Sequence, residues 1–348
     1  MSSFYFIHHI KLNTMWYIIN NYKTPRRPFI ESLQFGDNLG NTVFLEAAET
    51  LFNATSVNLY DLNDSEDLQI EVKSGKGIIL CMANCLSQYW KSPFLIDLLK
   101  KLNLNILIFS VGIQAQLDTE LSNLSDEVIE FLELTRYPIY VRGKTSSDYL
   151  NSIGIKNEII GCPSIFNAKP ITIKEYNNAF FQCTFEHPKE LELLKFGIEN
   201  NLQYIIQSEI NLALIHINEP ITNIGTDLHY FNKLDVDEQN KFKTLILFPT
   251  TLSEWKNMIN TKNFLITTRV HGALLALELG ILPLLIIIDE RTKELAEYHS
   301  IPNININNCN FTNIPDLYEI AISQVPEFNI SILNQQSKIL SVITDLNK

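Results

Sequence analysis

The sequence predicts an α/β protein made of two doubly wound domains in tandem, with a cleft between them. Three observations carry this expectation. The chain has 348 residues, too many for one typical domain and enough for two of about 150 residues each. Short, fully apolar runs alternate with segments of helical length, which is the pattern of a parallel sheet covered on both faces. The alternation then restarts beyond residue 170.

In the first half the apolar runs are "GIILC" (77–81), "NILIFSVG" (105–112), "PIYVRG" (138–143) and "NEIIG" (157–161). "SPFLIDLLKKLNL" and "LSDEVIEFLELTR" separate the first three and are of helical length. "YDLNDSED" (60–67) reads as a solvated acidic loop without metal-ligand geometry. "KSGKG" (73–77) is similar to a phosphate-binding loop, but no Ser or Thr follows its lysine and it precedes a strand. Asn167-Ala168-Lys169-Pro170 is the join, giving domains over 1–168 and 169–348. The second set of strands is "AFFQCTF" (179–185), "LQYIIQ" (202–207), "TLILF" (244–248), "NFLITT" (263–268) and "LPLLIII" (282–288). The tail from Asn329 to Lys348 reads as a helix that packs back on the first domain.

Composition bounds the function. Hydrophobic residues make up 46% and charged residues 19%, which supplies apolar cores and argues against disorder. A net charge of -12 argues against nucleic acid as a partner, because phosphate backbones require a basic surface. A small anionic ligand stays open, since a few arginines can dominate a local field. Cys81, Cys85, Cys162, Cys183 and Cys309 have no zinc-type spacing and read as buried thiols in a reducing compartment. The N-terminal stretch is broken by His8, His9, Lys11 and Asn13, which suits neither a signal peptide nor a membrane span. The expected location is cytoplasmic, with no metal and no cofactor.

The segment "FLITTRVHGALLALELGILPLLIIIDERTKEL" (264–295) is the most informative. Arg269 and His271 stand between an apolar strand and a helix expected to begin near Gly272. On an extended segment residues i and i+2 point the same way, and a helix N-terminus beside them favours an anion. Arginine is the natural fork for carboxylate or phosphate. The structural alternative is an arginine paired with a nearby carboxylate and a histidine that caps the helix.

That segment resembles the signature of the polysaccharide pyruvyl transferase family: a strand into Arg269-Val270-His271, a helix to Leu279, Gly280 with Pro283, a second strand, and Asp289-Glu290-Arg291-Thr292. Other stretches resemble the family in the same order. "IFSVGIQAQ" (108–116) is similar to its Gly-x-Gly-Ala-Gln loop, with Ile113 for the second glycine. "YVRGKTSSDYLNSIGI" and "GCPSIF" (161–166) match further elements. "DNLGNTVFLEAAETLF" (37–52) is similar to its Asn-x-Gly-Asp motif, with Asn41 where aspartate is common. "QSEI" (207–210) is similar to a Gln-x-Glu element.

The resemblance implies a GT-B-like pair of Rossmann-like domains and a reaction with phosphoenolpyruvate as co-substrate. Its pyruvate unit passes to two hydroxyls of a sugar as a cyclic ketal, and phosphate leaves. His271 is then the proton donor to the methylene carbon, Arg269 an anion contact, and Asp37 a candidate base in a first-domain loop that also holds Asn38. Arg142, ending "PIYV", is expected as the first domain's counterpart of Arg269, or else paired with Asp148. Gln114 could bond acceptor hydroxyls, Gly272 lies at the helix start, and Asp289, Arg291 and Glu209 complete the candidates. The partners implied are phosphoenolpyruvate and a glycan or lipid-linked oligosaccharide, the latter with peripheral contact at the inner membrane face. Two rivals stay open: a nucleotide-sugar glycosyltransferase, since architecture does not decide chemistry, and a non-catalytic glycan-binding member of the fold.

Overall fold

In a computed structural model the structure describes residues 15–19, 38–117, 119, 121–218 and 225–347. The chain is α/β with parallel sheets, in two compact units. Among the described residues the first unit takes 15–19, Phe44–Phe166 and the chain from Gln335 onward. The second takes 38–43 and Asn167–Asn334. The sequence places the join at 168–169; the structural division falls between Phe166 and Asn167.

The first unit contains β1 (Trp16–Ile19), β2 (Thr55–Val57), β3 (Gly77–Cys81), β4 (Ile106–Phe109), β5 (Ile139–Val141) and β6 (Asn157–Ile159). Four form a parallel sheet in the order β2-β1-β3-β4, β5 pairs with β6, and a parallel bridge joins Val111 to Val141. The order reverses at β1 and β3. The helix Pro93–Leu102 shows why the apolar spacing counts: Leu95, Ile96, Leu98, Leu99 and Leu102 are all buried. Each such side chain stabilises the unit by about 1.5–3 kcal/mol on burial.

Two readings need correction here. The acidic stretch 60–67 is not a loop: helices span Leu59–Asp64 and Glu66–Ser74. Asn58 caps the first by accepting from the Tyr60 and Asp61 amides, and Ser65 caps the second by accepting from Leu68. Leu59, Leu62 and Val72 anchor them in the core while the acidic residues Asp61, Asp64, Glu66 and Asp67 face solvent. The C-terminal helix also starts earlier than expected, spanning Ile314–Leu346 with Pro326 inside it. Its last part belongs to the first unit, where Lys338 donates to Ile159 O at 2.6 Å and Asn347 accepts from Trp16 Nε1 at 3.0 Å.

The second unit contains β7 (Ala179–Gln182), β8 (Gln203–Ile205), β9 (Ile246–Leu247), β10 (Phe264–Thr267), β11 (Leu282–Ile287) and β12 (Asn303–Asn305). They form one sheet, parallel throughout, in the order β12-β11-β10-β7-β8-β9. The strands run outward in both directions from the β7–β10 pair, so the order reverses there. Such a reversal leaves a crevice at the strand carboxyl ends. Residues 264–267 of β10 are all fully buried, which is why that run carries no polar residue before its end. Among the described residues no helix is long and apolar enough to cross a membrane.

Candidate active site

Three strand ends of the second unit supply the polar groups at this reversal. Cys183 and Thr184 follow β7, Gln207 to Glu209 follow β8, and Thr268 and Arg269 follow β10. The Arg269 guanidinium binds two of these ends. Its Nε donates to Cys183 O at 2.9 Å, and Nη2 forms an ion pair with Glu209 Oε1. The other carboxylate oxygen, Glu209 Oε2, accepts the amides of Gln207 at 2.7 Å and Ser208 at 3.0 Å. Nη1 has no hydrogen-bond partner among the described residues.

Arg269 is 9% exposed and Glu209 4%. Burial is the largest single influence on the guanidinium and works toward losing its proton. Glu209, followed by Tyr204, Glu190 and Glu186, outweighs it and holds the pKa above its ordinary value. The Cys183 thiol is pushed well up by burial first, then by the Glu190 and Glu209 carboxylates. It therefore stays protonated and is no nucleophile.

The helix after β10 begins at Val270, not Gly272, and Arg269 is its N-cap residue in extended conformation with no side-chain cap. Arg269 and His271 are therefore not two residues of one extended face. His271 sits in the first helical turn, half-buried, with Nδ1 toward the segment at Gly40. In that turn the Ala273 amide bonds back to Arg269 O at 3.1 Å. The amides of Val270 and Gly272 have no acceptor among the described residues. Unfilled first-turn amides beside a guanidinium suit an anion.

Asn38 belongs to this unit rather than to the first domain, which corrects the expectation from sequence. Its Oδ1 accepts from Gly40 N at 2.9 Å and from Gln207 Nε2 at 2.5 Å, and Leu39 N donates to Gln207 O at 3.2 Å. Val43, one turn on, joins the apolar cluster of Phe180, Ile205 and Trp255. With these amides occupied, the helix Leu39–Phe52 presents a closed end, in contrast to the helix after Arg269. Asp37 lies outside the described residues.

Two glycines permit the close packing. A Cβ on Gly40 would lie within 3.0 Å of Gln207 Nε2, Asn38 Oδ1 and His271 Nδ1. A Cβ on Gly272 would overlap Gln182 Oε1, so this glycine answers to the buried Gln182, whose Nε2 donates to Ile205 O at 3.1 Å. Glu190 went unnoticed in the sequence. Wholly buried, it accepts from the amides of Thr184, Glu186 and His187 and from the hydroxyls of Thr184 and Thr268. It fixes the loop after β7 to the end of β10. Gln207 was equally missed; its position before Glu209 in "QSEI" was the available signal.

The remaining candidates have structural work. Asp289 caps the helix Glu290–His299 through the Thr292 amide and pairs with Arg291 Nη2 at 2.8 Å. Arg291 also lies 3.4 Å from Glu186. In the first unit Arg142 is 1% exposed, donates from Nε to Ser110 O at 3.0 Å and lies over the Phe44 ring. Asp148 pairs with Lys144 instead. Arg142 follows β5, which pairs with β6 in a separate two-stranded sheet and not with the strands of the β1–β3 reversal, so it does not hold the place that Arg269 holds in the second unit. It braces Ser110, whose φ of 60° is a conformation that non-glycine residues seldom adopt. Gln114 is exposed, and its amide donates to Leu86 O at 3.4 Å. Among the described residues no group of three His, Cys, Asp or Glu side chains is arranged to hold a metal ion.

Comparison with known proteins adds three findings. The profile of the family described as "Polysaccharide pyruvyl transferase" matches residues 38–288, a span that includes Asn38, Glu209, Arg269 and His271. No curated protein sequence matches the chain. Among solved structures, UDP-GlcNAc 2-epimerase from Neisseria meningitidis, bound to UDP-GlcNAc, aligns at 10% identity with a TM-score of 0.46, covering 95% of this chain and 98% of that one. The Methanocaldococcus jannaschii UDP-GlcNAc 2-epimerase aligns at 10% identity and 0.44, covering 95% and 99%. A functionally uncharacterized Klebsiella pneumoniae protein aligns at 11% identity and 0.42, covering 88% and 100%.

Proposed function

Because this chain belongs to the polysaccharide pyruvyl transferase family, we propose that it moves the pyruvate unit of phosphoenolpyruvate onto a sugar of a surface-polysaccharide precursor as a cyclic ketal. The observation that carries the reading is the β7–β10 reversal. There the Nη1 edge of Arg269 and the unfilled amides of Val270 and Gly272 adjoin His271. A donor bearing both a carboxylate and a phosphate suits such a group of donors.

The chemistry runs as an addition followed by a substitution. His271 gives a proton to the donor's methylene carbon, and C2 becomes an oxocarbenium centre. One sugar hydroxyl attacks C2; phosphate then leaves with the electron pair of its C2–O bond, and the second hydroxyl closes the ring at C2. The two hydroxyl protons balance the reaction: one restores His271 and one leaves with phosphate. Asp37 stays the proposed base, and Gln114, exposed in the first unit, a proposed contact for the acceptor. Arg269 and the helix amides stabilise the charge that gathers on the departing phosphate.

Calorimetric titration with phosphoenolpyruvate beside UDP, GDP and CMP tests the donor. Selective phosphoenolpyruvate binding is the expected result. Binding of a nucleotide in its place would overturn the reading in favour of a nucleotide-sugar enzyme.

A further inference from the structure

The ion pair between Glu209 and Arg269 bears on how the proposed donor is held, and this inference rests on that donor reading. A guanidinium offers its full fork to an anion through two nitrogens on one edge. Here Nε is committed to Cys183 O and Nη2 to Glu209 Oε1, which leaves Nη1 as the open nitrogen. Glu209 cannot readily swing away, because the Gln207 and Ser208 amides hold its second oxygen.

The charges make the arrangement more telling. Arg269 and Glu209 cancel, and Arg291, a second arginine among the described residues at this end of the sheet, is paired with Asp289 and Glu186. With the buried Glu190 carboxylate also at these strand ends, carboxylates outnumber the two arginines, although the ligand they are proposed to take is strongly anionic. A site built only for tight anion capture would leave its arginine unpaired.

We propose that Glu209 is a positioning residue that acts as an internal counter-anion. It occupies the Nη2 face of Arg269, restricts the donor to a single contact at Nη1, and so keeps ground-state binding of phosphoenolpyruvate weak. The guanidinium stays oriented for charge that develops later, on the leaving phosphate. Binding held back in the ground state favours turnover.

Two measurements test this on the intact chain. In the first, phosphoenolpyruvate is titrated calorimetrically into wild type and Glu209→Gln. The variant is expected to bind about three- to tenfold more tightly, since the neutral amide no longer cancels the guanidinium charge that faces the anion. A purely structural Glu209 would lower thermal stability and leave affinity per folded molecule unchanged, and that result overturns the proposal. The second uses [15N]arginine-labelled wild type and so does not depend on the variant folding. The Arg269 Nε–H resonance is expected to shift on saturation with phosphoenolpyruvate, while that of Arg142, buried on Ser110, stays in place. An unmoved Arg269 resonance with binding present overturns the inference alone. No phosphoenolpyruvate binding to either protein overturns the donor reading, and this inference with it.

Discussion

Glu209 holds the Arg269 guanidinium on one carboxylate oxygen and the amides of Gln207 and Ser208 on the other. The loop after β8 and the N-cap of the helix after β10 are thereby joined through one buried charge pair.

Arg269→Ala should destabilise the chain by about 3–5 kcal/mol, because it leaves the Glu209 carboxylate buried without its partner. Glu209→Leu in the same chain should recover part of that loss. Urea unfolding of both single variants and the double variant measures the coupling; additive losses would mean that the pair has no joint role. Arg269→Ala should also weaken phosphoenolpyruvate binding by about 2–4 kcal/mol, read by calorimetry.

His271→Ala should bind phosphoenolpyruvate nearly as wild type does and lose phosphate release in the presence of sugar acceptor. That split belongs to a group acting in the transition state. If binding falls as far as turnover, the histidine is a donor contact and the proton comes from elsewhere.

Gly40→Ala should cost about 1–3 kcal/mol, because the new methyl meets Gln207, Asn38 and His271 together. Gly154→Ala, whose methyl meets open space at a φ of 79°, serves as the comparison for backbone strain alone. A Gly40 variant that is as stable as wild type in urea, with donor binding unchanged, would show that the contact yields without consequence.

Stability should fall as pH rises above about 9. Burial pushes the Cys85 and Cys309 thiols from 9.0 up to about 12. Between those values the unfolded thiol has released its proton and the folded one has kept it. The unfolded state then binds fewer protons, and each further pH unit costs the fold about 1.4 kcal/mol per thiol. This contribution is fully present below pH 9. Urea midpoints at pH 8 and pH 10 should differ accordingly, and Cys85→Ala should reduce the difference. At pH 8 a thiol reagent should find Cys81, Cys85, Cys162, Cys183 and Cys309 unreactive until the chain unfolds, since all five are buried.

The strands most legible in the sequence are those whose burial is complete. Every residue of "GIILC" and of Phe264–Thr267 is buried, so an apolar run marks them without help from context. The strand Trp16–Ile19 was hidden because its four residues sit in a stretch broken by polar groups, and only pairing with β2 and β3 on either side makes it a strand. The helices from Leu59 to Ser74 were hidden by their charge. Few apolar anchors suffice once Asn58 and Ser65 cap the ends, and acidic side chains on the outer face obscure the periodicity.

By itself the sequence determined the α/β class, the two sets of strands, the family signature and the place of Arg269 and His271 between a strand and a helix. These are local properties, written in runs of a few residues whose hydropathy and spacing settle their backbone. Only the tertiary structure decided what those residues touch. It moved Asn38 to the second unit, buried Arg142 against Ser110, made Gly272 a neighbour of Gln182, and set Glu209 on Arg269. Each of these pairs is far apart in the chain, and its partner is chosen by strand order. A parallel sheet in the order β12-β11-β10-β7-β8-β9 brings the ends of β7, β8 and β10 together, and no local pattern encodes that order.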